Sequence, residues 1–435
     1  MNKKLLAVAV AGALAAPGVA LAQASSVTIS GFFKMGVENI SYSNATTDVA
    51  AATTPGSRLN NSQNRVVDNS SRMLFNVTEG LGNGLSAVAQ LDVRFAPNSG
   101  TLSGLGNDWV GLKSNTWGTL TMGRHDLHYG KTPDDTIAKA GALEAAAIAL
   151  FDFVQLPGTL LPSGQSTAVG VTAAGVANAT NVAVAGATRT PNVVRWDSPN
   201  WNGLTGTVAW SANPAGPSAD MSSVLGAAAL TTALNNGTRS SRRGEAWNIN
   251  PQYTNGPFLV GYSYWRARPD APLWAALPAA TLNQRGDSLY GYYKVGGFKI
   301  GLGWNRSQLD VATAIAGQGI GSGGKLAQRT TWSVPMSYVW GPHNIVGHYT
   351  RANSISSDLL NAVTNDTGAR MYALAYVYDL SKRTSVGLTW AQITNEQNAN
   401  YTLFTGNSAA LASADGGTIA GERARLLQAT IKHSF

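Results

Sequence analysis

The chain contains no cysteine, and only 12% of its 435 residues are charged, about half the share found in an ordinary globular domain. The first absence excludes a disulfide scaffold, a thiolate nucleophile and any cysteine-ligated metal. The second sets the chain apart from water-soluble enzymes, whose surfaces are dense in charge. Long apolar runs are missing too. No segment has 18 consecutive apolar residues, so none is predicted to cross a bilayer as a helix; the best stretch, residues 140–151, is short and carries Glu144.

Signatures of chemistry are equally sparse. There is no G-x-S-x-G nucleophile elbow. Of the five histidines (His125, His128, His343, His348 and His433), only His125-x-x-His128 has a metal-ligand spacing, and that spacing serves only on a helix. His348 falls on an expected inner face. Residues 319–325 fit G-x-G-x-x-G and most of a P-loop. However, Leu326 stands where the magnesium-binding Ser or Thr belongs, and no strand–helix frame surrounds the motif. It reads as a glycine-rich surface loop. The net charge of +8 is spread along the chain and forms no single basic patch, which argues against nucleic-acid binding. No enzymatic activity, cofactor or metal is expected.

The positive features begin at the N-terminus. Lys3 and Lys4 precede an apolar stretch at residues 5–16, and Ala20-Leu21-Ala22 fits an A-x-A cleavage site. Residues 1–22 are therefore expected to be a secretory signal peptide, and residues 23–435 the exported protein. An exported chain without an apolar helix is either soluble or a β-barrel.

Period-2 alternation separates these two. Val27, Ile29, Phe33, Met35 and Val37 share one face of an extended segment, and Thr28, Ser30, Lys34 and Glu38 the other. The pattern recurs along the chain in segments of roughly 8–11 residues, the length of a tilted strand crossing a membrane. Short turns are expected near 80–84, 115–118, 200–203, 254–257, 295–297, 340–343 and 379–383. Long stretches lie at 39–70, 96–107, 125–188, 211–245, 266–286, 306–329, 351–369 and 393–423. These fifteen connections imply sixteen antiparallel strands, with residues 27–37 pairing near 425–435 to close the barrel and with both termini at the short-turn rim. Val27, Ile29, Phe75, Leu91, Val208, Ile300, Leu388 and Ile431 are expected to face lipid. Trp109, Trp117, Trp196, Trp201, Trp247, Trp265, Trp304, Trp332, Trp340 and Trp390 fall near strand ends and suit interfacial girdles. A soluble β-sandwich is the competing fold, but such folds rarely need so many strands of one length.

The same residues resemble a known family. The strand Ser26-Val27-Thr28-Ile29-Ser30-Gly31, the run from Ser71-Arg72-Met73 through Gly80-Leu81-Gly82-Asn83-Gly84, and Trp109-Val110-Gly111-Leu112 resemble the first four strands of Gram-negative general diffusion porins of the β-proteobacterial type. Gly118 to Arg124, Asn192 to Asn200, Leu380 to Ser385 and the ending His433-Ser434-Phe435 continue the likeness in order. The resemblance implies a sixteen-stranded outer-membrane barrel, all-β, with a long constriction loop folded into the lumen. It also implies a homotrimer in contact with outer-membrane lipid and lipopolysaccharide, and passive diffusion of small hydrophilic solutes.

Six cations fall on the polar phase of their strands: Lys34, Arg72, Arg94, Arg189, Arg195 and Lys299. By resemblance, Arg72 and Arg189 match eyelet positions of the family. Fixed arginine charge in a narrow aqueous passage attracts anions, so the pore is expected to favour small polar or anionic solutes. Each cation could instead pair with a wall carboxylate such as Asp92 or Glu38. Opposing carboxylates are expected on the third long loop, from Asp134, Asp135, Glu144 or Asp152. Two departures from the family stand out. That loop is long, with an alanine-rich stretch at 138–150 and a low-complexity tract at 163–188, which leaves a substrate-specific or largely closed channel as the alternative. Gly106 occupies a position where the family often has a basic residue.

Overall fold

The computed structural model describes residues 25–43, 62–128, 189–212, 214, 245–268, 282–311, 324–358, 365–397, 399, 401, 403 and 421–435. They form one antiparallel sheet that closes on itself. Its segments are β1 (Ser26–Ser43), β2 (Ser62–Asp68), β3 (Arg72–Gly82), β4 (Leu85–Ala96), β5 (Thr101–Leu105), β6 (Trp109–Ser114), β7 (Gly118–Asp126), β8 (Arg189–Asp197), β9 (Leu204–Ser211), β10 (Glu245–Asn255), β11 (Phe258–Arg268), β12 (Leu282–Val295), β13 (Phe298–Val311), β14 (Lys325–Trp340), β15 (His343–Ala352), β16 (Ala369–Asp379), β17 (Thr384–Asn395) and β18 (Arg423–Ser434).

Eighteen segments build sixteen wall strands because two strands are broken in the middle. β2 and β3 lie end to end along β1, pairing with Met35–Ser41 and Ser26–Phe32 respectively. The break between them is a capped corner. The Asp68 carboxylate accepts the Ser71 amide at 3.1 and 3.2 Å, and the Asn69 amide donates to the Lys34 carbonyl at 2.8 Å. β5 and β6 likewise lie end to end along β4. Their break at 106–108 is tied back by the Gly106 amide, which donates to the Asp92 carbonyl at 2.7 Å.

Closure joins β1 to β18, from Phe32↔Ser434 to Ser43↔Arg423. Gly31 and Phe435 exchange two further backbone bonds, at 3.3 and 3.1 Å. No edge is left for lipid to solvate, which is what makes a sheet viable in a membrane. The register corrects the expected one: residues 27–31 pair with β3, and β18 meets β1 only from Gly31 upward. Barrel closure requires such a stagger between neighbouring strands.

All seven short turns fall where expected. Three are two-residue turns led by glycine: Gly256, Gly296 and Gly341 have φ of 54°, 56° and 54°. A positive φ at the first turn position matches the right-handed twist of the strands it joins. The eight long connections need correction at 96–107. There the chain turns within 97–100, with the Gly100 amide donating to the Ala96 carbonyl at 2.9 Å, and returns as β5. The strands are also longer than expected, 18 residues in β1 and 16 in β14; in β1 pairing continues past the apolar outward steps, which give way to Asn39, Ser41 and Ser43 while Ile40 and Tyr42 are buried inside.

The outer face is apolar. Val27, Ile29, Leu91, Val208, Ile300, Leu388 and Ile431 are all exposed, as a lipid-facing wall requires. Phe75 follows the same phase and is half-buried. The inner face is polar and buried, with Ser263, Ser288, Asn305, Ser333 and Gln428 among its residues. Two tryptophans expected in the girdles face inward instead. Trp265 is buried and donates to Gln284 Oε1 at 2.8 Å; the alternation that sends Tyr264 and Arg266 outward sends Trp265 in. Trp109 stacks on His125 at 5.9 Å, on the face opposite exposed Val110.

Candidate functional site: a charged sector of the lumen wall

Three of the expected cations come together on adjacent strands. Arg72 and Arg94 sit directly opposite each other across β3 and β4, and Lys34 lies on β1 beside the corner that joins β2 to β3. Between the two arginines stands Asp92, with Oδ2 2.9 Å from Arg94 Nη2 and 3.9 Å from Arg72 Nη1. Arg72 also donates from Nε to the Ser70 carbonyl at 3.3 Å, and its guanidinium lies 5.1 Å from the centre of the Phe32 ring.

Alternation alone did not bring forward two more cations of this sector. Lys432 pairs directly with Lys34 across the closure and places its ammonium 4.6 Å from the same Phe32 ring. Its signal was its position two steps from Ser434 on the polar phase of the last strand. Arg65 forms an ion pair with Glu38, and Gln428 also donates to Glu38 at 2.5 Å. The sector thus holds Lys34, Arg65, Arg72, Arg94 and Lys432 against Glu38, Asp68 and Asp92. Asp68 is spent on the Ser71 amide. On the inner faces of β1–β4 and β18 cations outnumber carboxylates, with Asp108 and Asp126 bordering the sector on the β5–β7 side, and the field of that excess points into the lumen.

Gly106 explains its own departure from the family. A Cβ there would lie 1.8 Å from Asp92 Oδ2 and 2.9 Å from Arg94 Nε. The place of a basic side chain is filled by the Asp92–Arg94 pair itself. The break at 106–108 is stitched into the same network: the Asn107 amide nitrogen of the side chain donates to Asp126 Oδ2 at 2.8 Å, and the Asp92 amide donates to Asp108 Oδ1 at 2.7 Å.

The other expected cations lie elsewhere. Arg195 forms a two-pronged pair with Asp197 on its own strand, Nε–Oδ2 and Nη2–Oδ1 both 2.8 Å. Lys299 is one residue from the start of β13, close to the short-turn rim, with its ammonium 4.4 Å from the Tyr292 ring. Arg189 pairs in the backbone with Asp126 beyond a bulge in β8; its side chain lies outside the described residues. So do Asp134, Asp135, Glu144 and Asp152.

The third long connection begins inside the barrel. Leu127 and His128, directly after β7, are buried. His128 crosses to the β11–β12 wall, where Nδ1 lies 2.8 Å from Ser263 Oγ and the ring stacks near Trp265 at 6.4 Å. Gly286 makes the seat: a Cβ there would lie 2.5 Å from His128 Nε2. His125 stays on the β7 wall, 3.1 Å from Thr121 Oγ1. The H-x-x-H pair is therefore split between two walls. Loss of hydration pulls the buried His128 imidazole down to about 3, against a smaller upward pull from Asp287.

The loop-side mouth has a second, apolar element. Ala399, Tyr401 and Leu403 are buried against Ile40, Tyr42, Met371, Ile393 and Leu426, all on inner faces. Tyr401 exchanges bonds with the Asn395 side chain at 2.8 and 2.9 Å, and its hydroxyl meets Arg329 Nη1 at 3.1 Å.

A closed sixteen-stranded antiparallel wall, apolar outside and polar with fixed charge inside, defines a transmembrane β-barrel channel. The sequence matches the model of the Gram-negative porin family over residues 7–398. The chain belongs to that family, and it is an outer-membrane diffusion channel. Among solved structures, it is similar to an anion-selective porin from Comamonas acidovorans, at 18% identity and a TM-score of 0.63, covering 95% of this chain and 100% of that one. It is also similar to the trimer form of OmpT from Vibrio cholerae, at 12% identity and a TM-score of 0.56 over the same shares. The channel DcaP of Acinetobacter baumannii follows at 14% identity and a TM-score of 0.52, with 94% and 97% covered. Among curated proteins no sequence match is found.

Proposed function

We propose that this porin passes small hydrophilic solutes with a preference for anions, acts as a homotrimer, and performs no catalysis. Residues 1–22 are read as a signal peptide removed on export, and the connection between β7 and β8 as the loop that narrows the lumen. The observation that carries the anion preference is the cationic excess on the β1–β4 and β18 sector, with Arg72 and Lys432 flanking one Phe32 ring. The name of the Comamonas relative and the trimer form of the Vibrio relative point the same way. Arg189 is proposed as an eyelet cation with Arg72, joined by Lys34, Arg94, Arg195 and Lys299, of which Arg195 is paired with Asp197. The carboxylates Asp134, Asp135, Glu144 and Asp152 are the proposed counter-charges from the loop. Reconstitution into planar bilayers tests the assignment: conductance rising in steps of three equal units supports a trimer of open channels, and absence of conductance contradicts it.

One observation favours a second reading, a narrowed or substrate-specific channel. The apolar cluster around Tyr401 and Leu403 fills part of the loop-side mouth with packed side chains where water would otherwise stand. Opening it with Tyr401→Ala and Leu403→Ala raises unit conductance if this packing restricts flow; unchanged conductance means that the path runs beside it.

A further inference from the structure

The corner between β2 and β3, residues 68–71, ties neighbouring strands together beside the cations of the charged sector. Asp68 pairs in register with Met35, as Val66 does with Val37, so it falls on the lipid-facing phase of β2. A charge on that phase is costly in a membrane wall, yet Asp68 is only 5% exposed. Its two oxygens turn towards the following residues and accept the Ser71 amide at 3.1 and 3.2 Å. Ser71 is itself fully buried. Its hydroxyl oxygen accepts the Lys34 amide at 2.9 Å, and its carbonyl accepts the Phe95 amide at 3.3 Å. The Asn69 amide donates to the Lys34 carbonyl at 2.8 Å. Gly36 leaves room for the Asn69 side chain, since a Cβ there would lie 3.0 Å from Asn69 Nδ2.

These ties hold Ser70 at φ 65°, a left-handed conformation uncommon for a residue with a side chain. The consequence is the direction of one carbonyl. In an unbroken strand the carbonyls lie in the sheet and pair with neighbouring strands. The Ser70 carbonyl instead accepts the Arg72 Nε–H at 3.3 Å. The Arg72 guanidinium also lies 5.1 Å from the centre of the Phe32 ring, and its Nη1 stays 3.9 Å from Asp92 Oδ2. Asp92 already holds Arg94 at 2.9 Å. Released from the Ser70 carbonyl, the Arg72 guanidinium is free to close on Asp92, which draws its charge back into the wall.

We propose that Asp68 and Ser70 are positioning residues for the selectivity of the pore. The capped corner holds the Arg72 guanidinium off Asp92 and towards the lumen, so a buried carboxylate of the opposite sign sustains the anion preference. The inference rests on the anion preference proposed above, and deepens it by naming what fixes one of its charges in place. Charge alone gives Asp68 the contrary role: a carboxylate near the cations weakens their field, and its removal strengthens anion preference.

The test separates position from charge. Asp68→Asn and Asp68→Ala remove the same negative charge, but asparagine keeps an oxygen that can accept the Ser71 amide. Ser70→Gly and Ser70→Val change no charge; glycine adopts a positive φ freely, whereas a β-branched residue resists it. The zero-current potential of the full channel in a KCl gradient gives the chloride-to-potassium permeability ratio of each. Asp68→Asn and Ser70→Gly are expected to keep or raise the native ratio. Asp68→Ala and Ser70→Val are expected to lower it about twofold to fivefold, the scale of one partly exposed charge interaction. Neither lowers it further in a channel that already carries Arg72→Gln, because the effect runs through Arg72. The proposal is overturned if Asp68→Ala and Asp68→Asn shift the ratio alike, if Ser70→Val matches Ser70→Gly, or if either loss persists in full beside Arg72→Gln. Should Asp68→Ala or Ser70→Val yield no channels, the other pair decides. A native channel that prefers potassium, or an Arg72→Gln channel that keeps the native ratio, contradicts the anion reading itself, so that failure is told apart from failure of the corner.

Discussion

Gly286 is the residue on which the lumen-crossing root of the third connection depends. Its missing Cβ admits the His128 ring to within bonding distance of Ser263. Gly286→Ala is expected to unseat His128 without breaking the barrel, because the clash falls on a side chain that can move. Faster hydrogen exchange at residues 127–128, with unchanged exchange in β12, is the readout. The same contact is sensitive to acid. Docked, His128 titrates at about 3; undocked, at about 6.5. The undocked form therefore binds more protons below pH 6.5, and docking weakens by about tenfold per pH unit as acidity rises from there towards the docked value. Channel noise that grows on acidification from pH 7 to 4, and does not do so in His128→Phe, supports this; identical pH behaviour in the two contradicts it. At this scale the sequence was only partly legible. Lys34, Arg72 and Arg94 were visible as polar-phase cations, and they do cluster. That Asp92 would stand between the two arginines, or that Lys432 would meet Lys34 across the closure, depends on register between strands distant in the chain. No local pattern states such a register.

Elements were the most legible scale, since alternation and turn chemistry are local. Glycine at the head of a two-residue turn is a signal with a conformational cause, and Gly256, Gly296 and Gly341 all adopt the positive φ it provides. Nothing lies within 4 Å of a Cβ built at any of the three, so substitution there has a purely backbone effect. Gly341→Ala is expected to destabilise the barrel by about 1–2 kcal/mol, read as a lower denaturant midpoint for unfolding from vesicles with an unchanged slope. A loss beyond about 3 kcal/mol would mean that the turn makes contacts the structure does not contain. Failures of the sequence reading at this scale were places where a strand is interrupted. Residues 96–107 look like a loop because they are polar and glycine-rich, yet most of them form the tight turn and β5. The break at 106–108 lets the wall bend and gives Asp92 its backbone partner. In β8 the bulge beside Asn192, φ 57°, shifts the phase so that Thr190 is the buried residue opposite His125.

For the whole molecule, low charge and a missing apolar helix became informative together: charge is kept off the outward steps that face lipid, such as Ile300, Leu302 and Trp304 of β13. Closure and strand number followed from counting turns, whereas the stagger at β1 and β18 did not, because stagger is a property of the closed barrel. The inner wall is charged unevenly, and screening confines that field to about 8 Å at physiological salt. Selectivity therefore depends on the cations nearest the conduction path, and not on net charge. Arg195→Gln with Asp197→Asn, which removes a neutral pair bonded at 2.8 Å, is expected to change ion preference little.

The most direct measurement is the zero-current potential across a bilayer holding the native channel in a KCl gradient, repeated for Arg72→Glu with Lys432→Glu. Both side chains flank Phe32 on the lumen wall and are partly exposed, with Arg72 Nη1 3.9 Å from Asp92 Oδ2, so the barrel is expected to assemble with both reversed. The account predicts that the native potential has the sign of chloride preference, that this preference shrinks as total salt rises, and that the double reversal moves the potential towards potassium. A native channel that prefers potassium, or a potential that the double reversal leaves in place, would contradict the claim that this sector of wall sets what the pore admits.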